Sequence, residues 1–164
     1  MEEKIYIAYG SNLNLKQMAQ RCPTAKVLGT SELKDYEIIF RGSKTGAYAN
    51  IEPCKGKTVP ILLWTVKDSD EQALDRYEGY PVFYEKEPME VEFNNEKVTA
   101  FAYRMTPGHQ LGIPTDFYIN TILEGYEEFD FDEQILFDAI ENIKQLIKKE
   151  QNQNLSFSQM QWWC

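Results

Sequence analysis

The sequence holds a single histidine, His109, among 164 residues. A Ser/His or Cys/His hydrolase needs such a base, and no nucleophile-elbow serine accompanies this one. His109 sits in a Pro-Gly-His turn, where a histidine is most often simply exposed. There are three cysteines, Cys22, Cys54 and Cys164, with no Cys-x-x-Cys spacing. They make neither a zinc site nor an even disulfide framework, so a reduced cytoplasm is the expected setting. Ligand clusters of His, Asp and Glu are missing too, and no metal or other cofactor is expected. Basic residues are scarce: 17 Lys and Arg against 26 Asp and Glu, a net charge of −9. Nucleic acid or an anionic membrane surface would need clustered cations, so neither is an expected partner. No run approaches the ~20 apolar residues that cross a bilayer. The opening Met-Glu-Glu-Lys lacks the apolar core of a signal peptide. The sequence contains no internal repeat, and nothing in it sets an oligomeric state.

Aromatic residues are abundant, with ten Tyr and nine Phe, a composition suited to strands and to a lined pocket. Lys4 to Tyr9 is apolar on both faces and reads as a buried strand. Further strands are expected at Tyr36–Phe40, Ala47–Ile51, Thr58–Val66, Met89–Phe93 and Val98–Met105, with Pro60 at an edge or bulge. Asn94-Asn95 is the expected hairpin turn. Leu13, Leu15, Met18 and Ala19 recur at helical spacing before Pro23. Asp68-Ser69-Asp70-Glu71 starts a helix that stops at Gly79-Tyr80-Pro81, with Gly79 as a left-handed cap. A helix follows from about Thr115 to Phe129. A last one, capped near Asp132, carries a stripe from Ile135 to Ile147.

This order gives an α+β fold: a small mixed, mostly antiparallel β-barrel with flanking helices, the Ile135–Ile147 helix packed outside. Residues 1–150 form the expected single domain and 151–164 a C-terminal tail. Met160, Trp162 and Trp163 in that tail are either frayed or docked.

Three segments are candidates for chemistry. Tyr9-Gly10-Ser11-Asn12-Leu13 takes a buried strand through a tight turn into a helix start, whose free N–H groups suit a carboxylate or an oxyanion. The commoner use of such a turn is plain capping by Ser11 or Asn12. Glu78 stands at a helix C-terminus between Tyr77 and Tyr80. The dipole and the apolar flanks both disfavour its charge and raise its pKa toward a useful base, although most glutamates are solvated surface residues. Tyr118, in Gly112-Ile113-Pro114-Thr115-Asp116-Phe117-Tyr118, serves either as a ligand hydrogen-bonding group or as a core tyrosine.

Tyr9-Gly10-Ser11-Asn12-Leu13 after a strand, Leu74-Asp75-x-x-Glu78-Gly79-Tyr80-Pro81, and Gly112-x-Pro114-x-x-x-Tyr118, in that order, resemble the gamma-glutamylcyclotransferase-like superfamily, most closely its bacterial branch. The resemblance spans roughly residues 4 to 145. It implies a small mixed barrel with a cavity over its mouth, and an acyl-transfer enzyme that cyclises a gamma-glutamyl group to 5-oxoproline and releases an amine or amino acid. Its substrate is then a small gamma-glutamyl compound. Tyr9, Gly10, Ser11, Asn12 and Leu13 match the substrate loop, Glu78 the catalytic acid/base and Tyr118 a pocket tyrosine. Cyclisation is intramolecular, so the protein needs no nucleophile of its own. The alternative is a non-catalytic domain of the same fold that binds a small carboxylate or amino-acid derivative through the same loop.

Overall fold

The computed structural model describes residues 3–162, with side chains described to residue 155. It is an α+β fold built on one curled six-stranded sheet, a half-barrel. The strands are β1 (Lys4–Ala8), β2 (Lys26–Gly42), β3 (Tyr48–Val66), β4 (Tyr84–Phe93), β5 (Glu96–Met105) and β6 (Gln110–Leu111). Their order is β4-β5-β1-β3-β2-β6. Every pairing is antiparallel except β1 with β5, which meet in parallel at Tyr6 and Phe101. The helices are α1 (Leu15–Arg21), α2 (Asp68–Glu78), α3 (Asp116–Glu128) and α4 (Glu133–Trp162), and Ser11–Leu13 makes one 3-10 turn.

Hydrophobic runs place both faces of the sheet in the core. Tyr6, Ile7 and Ala8 are consecutive and buried, and so are Ile61, Leu62 and Leu63. Side chains alternate across a strand, so a buried consecutive run needs cover on both sides. The sheet's curl covers one side and the helices the other. Each fully buried aliphatic, such as Leu136 or Ile143 of α4, contributes about 1.5–3 kcal/mol of transfer free energy. The curl brings β4 toward β2, where the Ser31 hydroxyl donates to the Glu92 carbonyl. At that closing seam the Phe93 ring leaves only 2.5 Å for a Cβ at position 29, so glycine is needed.

Sequence expectations change at β3 and at the last helix. The runs expected at Ala47–Ile51 and Thr58–Val66 are one strand, β3, because its long hairpin with β2 absorbs two register shifts, at Val27/Gly29 and Lys34/Tyr36. Pro60 lies within β3 just past the end of β1 pairing at Leu62, so it faces only one partner strand. The last helix does not stop near Ile147: α4 runs to Trp162. The side chains of Met160, Trp162 and Trp163 lie outside the described residues.

The helix boundaries near the site have local causes. Asp70 is buried and reaches back to the Lys67 N–H at 3.0 Å, and it also accepts from the Thr24 hydroxyl at 2.7 Å. Gly79 ends α2 with φ 66 and ψ 35, the left-handed cap. The Thr115 hydroxyl caps α3 by accepting from Tyr118 N–H at 3.2 Å. Asn94 and Asn95 both take positive φ in the β4–β5 turn, as a two-residue hairpin of this type requires.

Candidate active site

A chamber of about 300 Å3 opens at one end of the sheet. Tyr9, Gly10, Ser11 and Asn12 form one part of its wall, and Glu78 at the end of α2 forms another. Tyr118, from the first turn of α3, lines it as well. The loop and Glu78, 66 or more residues apart in the chain, thus share one cavity with Tyr118.

The loop leaves β1 and enters the 3-10 turn, in which Leu13 N–H bonds Gly10 C=O at 3.0 Å and Asn14 N–H bonds Ser11 C=O at 3.1 Å. Among the described residues, no protein acceptor takes the N–H groups of Gly10, Ser11 or Asn12. A turn of this kind presents partial positive charge to an anion or a developing oxyanion. Leu13 is different. It does not line the chamber; it is fully buried in the core, packed so closely on α3 that a Cβ at Gly125 would meet the Leu13 Cβ at 2.5 Å. Its N–H is spent inside the turn, so it anchors the loop and offers a ligand nothing.

Asn12 lines the chamber, but its side chain is committed to the protein. Its amide donates to the Tyr6 hydroxyl at 2.9 Å, its carbonyl oxygen Oδ1 accepts from Arg21, and its backbone C=O accepts from Trp64 Nε1 at 3.1 Å. What it offers a ligand is its backbone amide. The Ser11 hydroxyl shares a 2.9 Å hydrogen bond with the Tyr77 hydroxyl.

Glu78 belongs to a stripe of acids on one face of α2. Asp75 lies one turn before it and Glu71 two turns before it. Glu71 pairs with Lys4 at 2.8 Å and Lys86 at 2.9 Å. Asp75 pairs with Lys86 at 3.0 Å and accepts from the Tyr103 hydroxyl at 2.6 Å. These bonds fix α2 on the sheet. Among the described residues, no donor hydrogen-bonds the Glu78 carboxylate. Glu78 keeps partial contact with solvent through the chamber, yet the surrounding protein desolvates its carboxyl. Burial pushes its pKa up to about 7, against the opposing pull of the Arg21 charge. A carboxyl poised there both accepts and returns a proton at neutral pH.

Tyrosines make up much of the remaining wall. Tyr9 donates to the Tyr103 carbonyl at 2.6 Å and Tyr84 to the Ala49 carbonyl at 2.7 Å. The Tyr118 hydroxyl instead accepts from the Ala49 N–H at 3.0 Å, and the Tyr6 hydroxyl accepts from Asn12. Both keep a proton to donate into the chamber. Burial holds the phenols of Tyr6, Tyr9, Tyr84 and Tyr118 well above their ordinary pKa, and the Glu78 charge adds to the effect. They stay neutral O–H groups.

Sequence reasoning missed Arg21, Tyr48, Tyr84 and Tyr103. The first lies at the end of a short helix with no motif around it. Tyr48 and Tyr103 fall in expected strands with nothing to set them apart as site residues, and Tyr84 precedes the expected Met89–Phe93 strand, which begins at Tyr84. His109 does not line the chamber. Its Nε2 is 2.9 Å from the Thr106 hydroxyl, and its ring packs on Phe83. Among the described residues no group of three or more His, Cys, Asp or Glu side chains is placed to hold a metal ion. No helix there is long and apolar enough to cross a membrane.

Comparison with known proteins fits this arrangement. A model of the family described as gamma-glutamyl cyclotransferase, AIG2-like, matches residues 6–119. A gamma-glutamylcyclotransferase of Bos taurus is 28% identical over 137 residues, covering 77% of this chain and 72% of its own length. A gamma-glutamylcyclotransferase of Homo sapiens is 27% identical, covering 94% of this chain and 93% of its own. A solved structure titled gamma-glutamyl cyclotransferase aligns with a TM-score of 0.76 at 24% identity, over 90% of this chain and 99% of that one. At that identity the structural likeness speaks for the fold. The family match begins within β1 and ends just past Tyr118, so the loop, the end of α2 and the start of α3 all fall inside it: the chain belongs to the gamma-glutamyl cyclotransferase, AIG2-like family.

Proposed function

We propose that the protein cyclises the gamma-glutamyl group of a small substrate to 5-oxoproline and releases the attached amine or amino acid, with Glu78 as general acid/base. One observation carries the reading: among the described residues, a carboxyl pushed up to about 7 meets no hydrogen-bond donor, and it lines the same chamber as backbone amides that no protein acceptor takes. A domain that only bound anions would gain nothing from an acid there.

The substrate's alpha-amine attacks its own gamma-carbonyl carbon. Glu78 takes a proton from the alpha-ammonium, and a new C–N bond closes the five-membered ring. As the tetrahedral centre collapses, Glu78 returns that proton to the departing nitrogen and the original amide C–N bond breaks. Glu78 then takes the second proton from the ring nitrogen, leaving the neutral lactam, and passes it to the released amine, which departs as an ammonium. No redox partner and no protein nucleophile take part. Holding the chain in its folded, near-attack shape is worth roughly 7–11 kcal/mol. The N–H groups of Gly10, Ser11 and Asn12 and the O–H of Tyr118 are the donors for the alpha-carboxylate and the oxyanion. Each oxyanion donor is worth about 2.7–4 kcal/mol.

The Gly79-Tyr80-Pro81 that follows Glu78 favours the bacterial and plant-like branch. The net charge of −9 favours a small-molecule partner over nucleic acid, and the free thiols of Cys22 and Cys54 suit a cytoplasmic setting. The test is incubation with a panel of gamma-glutamyl amines, amino acids and peptides, followed by mass spectrometry for 5-oxoproline. Release from at least one member is expected. Saturable binding of panel members with no 5-oxoproline from any of them overturns the enzyme and leaves the binding domain.

A further inference from the structure

Arg21 ends α1 outside the motifs that mark the site, and its surroundings are unusual for an arginine. Among the described residues it has no carboxylate within ion-pair distance. Its guanidinium carbon lies 3.4 Å from the centroid of the Tyr77 ring. One nitrogen, Nη1, donates to Asn12 Oδ1, and the other, Nη2, to Gln17 Oε1 at 2.9 Å. Gln17 is one turn back on the same helix, so it aims the fork. Asn12 and Tyr77 belong to the two halves of the chamber, the amide loop and the last turn of α2. The two halves also meet directly at the Ser11–Tyr77 hydrogen bond.

We propose that Arg21 is the positioning residue of this site: its guanidinium clamps the Gly10–Asn12 loop to Tyr77 and so holds the backbone amides in register with Glu78. The planar fork does two things at once. Its edge bonds a side chain from the loop while its face stacks on a ring from α2. A lysine ammonium cannot reproduce that combination. Tyr77 immediately precedes Glu78, so a shift of that ring moves the carboxylate's own backbone. The role extends the proposed cyclisation and rests on it only for the kinetic readout.

The groups that face Glu78 are few. Arg21 approaches from α1 and supplies the opposing charge. Tyr6 and Tyr9 approach from β1 and its exit, Tyr84 from β4, Tyr103 from β5 and Tyr118 from α3, and each senses the Glu78 carboxylate. Arg76 of α2 also lines the chamber. Among them Arg21 is the cation whose pull on Glu78 the structure resolves.

The test compares full-length wild type, Arg21→Met and Arg21→Lys. The Glu78 carboxyl is titrated by carbon NMR of glutamate-labelled protein, which needs no activity, alongside kcat and KM for 5-oxoproline release and a thermal melt. In R21M the Glu78 midpoint is expected to rise by about one pH unit, as loss of a nearby opposite charge dictates. R21K keeps the charge and loses the fork. Its midpoint should stay near that of wild type, while kcat falls roughly tenfold with KM little changed, the signature of a contact realised in the transition state. An unmoved midpoint in R21M together with wild-type kcat in R21K overturns the proposal. If wild type itself releases no 5-oxoproline, the cyclisation reading fails, and the clamp is decided by the backbone amide NMR shifts of Gly10, Ser11 and Asn12, which should move in R21K; unmoved shifts there overturn it.

Discussion

Asp75 and Glu78 lie one turn apart on the same face of α2 and are used in opposite ways. Asp75 accepts the Tyr103 hydroxyl at 2.6 Å and pairs with Lys86 at 3.0 Å. Glu78 lines the chamber, meets no protein donor among the described residues, and its carboxyl is pushed up to about 7 by burial. The first carboxylate fastens the helix to the sheet and the second, among the described residues, fastens nothing. A helix that placed both in water would give neither.

The raised carboxyl has a consequence for stability and one for rate. Glu78 titrates near 7 in the folded chain against an ordinary 4.5. Between those values the folded chain holds a proton that the unfolded chain has released. Stability from this group therefore falls as pH rises from about 4.5 to about 7, by at most about 1.4 kcal/mol per pH unit, and is level outside that window. Glu78→Gln should lack this slope in denaturant melts taken across the same range. For a general base, kcat/KM of the wild type should rise with pH through a midpoint near 7.

Tyr118→Phe separates binding from framework. The Ala49 N–H loses its acceptor, now at 3.0 Å, which costs about 1 kcal/mol or more. The ligand loses a donor, so KM should rise about tenfold, the loss of one modest hydrogen bond. Steady-state kinetics with a parallel melt checks both. An unchanged KM would remove the hydroxyl from substrate binding.

Tyr126 offers a gain. Its ring is fully buried, and its hydroxyl is the buried side-chain polar atom without a partner among the described residues. Tyr126→Phe removes an unsatisfied group and leaves the edge-on contact with Phe131 in place. Stability should rise by about 1 kcal/mol, or roughly 2–4 °C in Tm for a chain of this size. A lower Tm would show that the hydroxyl is satisfied in solution.

Local grammar made some elements legible in the sequence. Gly79 announced the end of α2, and Thr115 the start of α3 within a residue. Runs apolar on both faces announced a sheet covered on both sides. Long-range geometry was less legible. The first half of β2, from Lys26 onward, is largely exposed and carries little apolar signal. Only its pairing with β3 makes it a strand. Asn12 and Leu13 share a motif with Gly10 and Ser11, yet Arg21, Tyr6 and Gly125 assign them to bracing and core. Gly125 lies more than a hundred residues from Leu13, and although Tyr6 and Arg21 are six and nine residues from Asn12, spacing alone does not turn their side chains toward it.

The central claim is that Glu78 moves the proton, and the most direct measurement is 5-oxoproline release at saturating substrate by wild type and Glu78→Gln, with a thermal melt of each. The change is isosteric and removes the proton acceptor while leaving the loop amides and Tyr118 in place. Turnover should fall roughly 10²–10⁴-fold, the worth of a positioned acid/base, in a protein that melts at or above the wild-type temperature at pH 7. A folded Glu78→Gln enzyme with near-normal turnover would contradict the account.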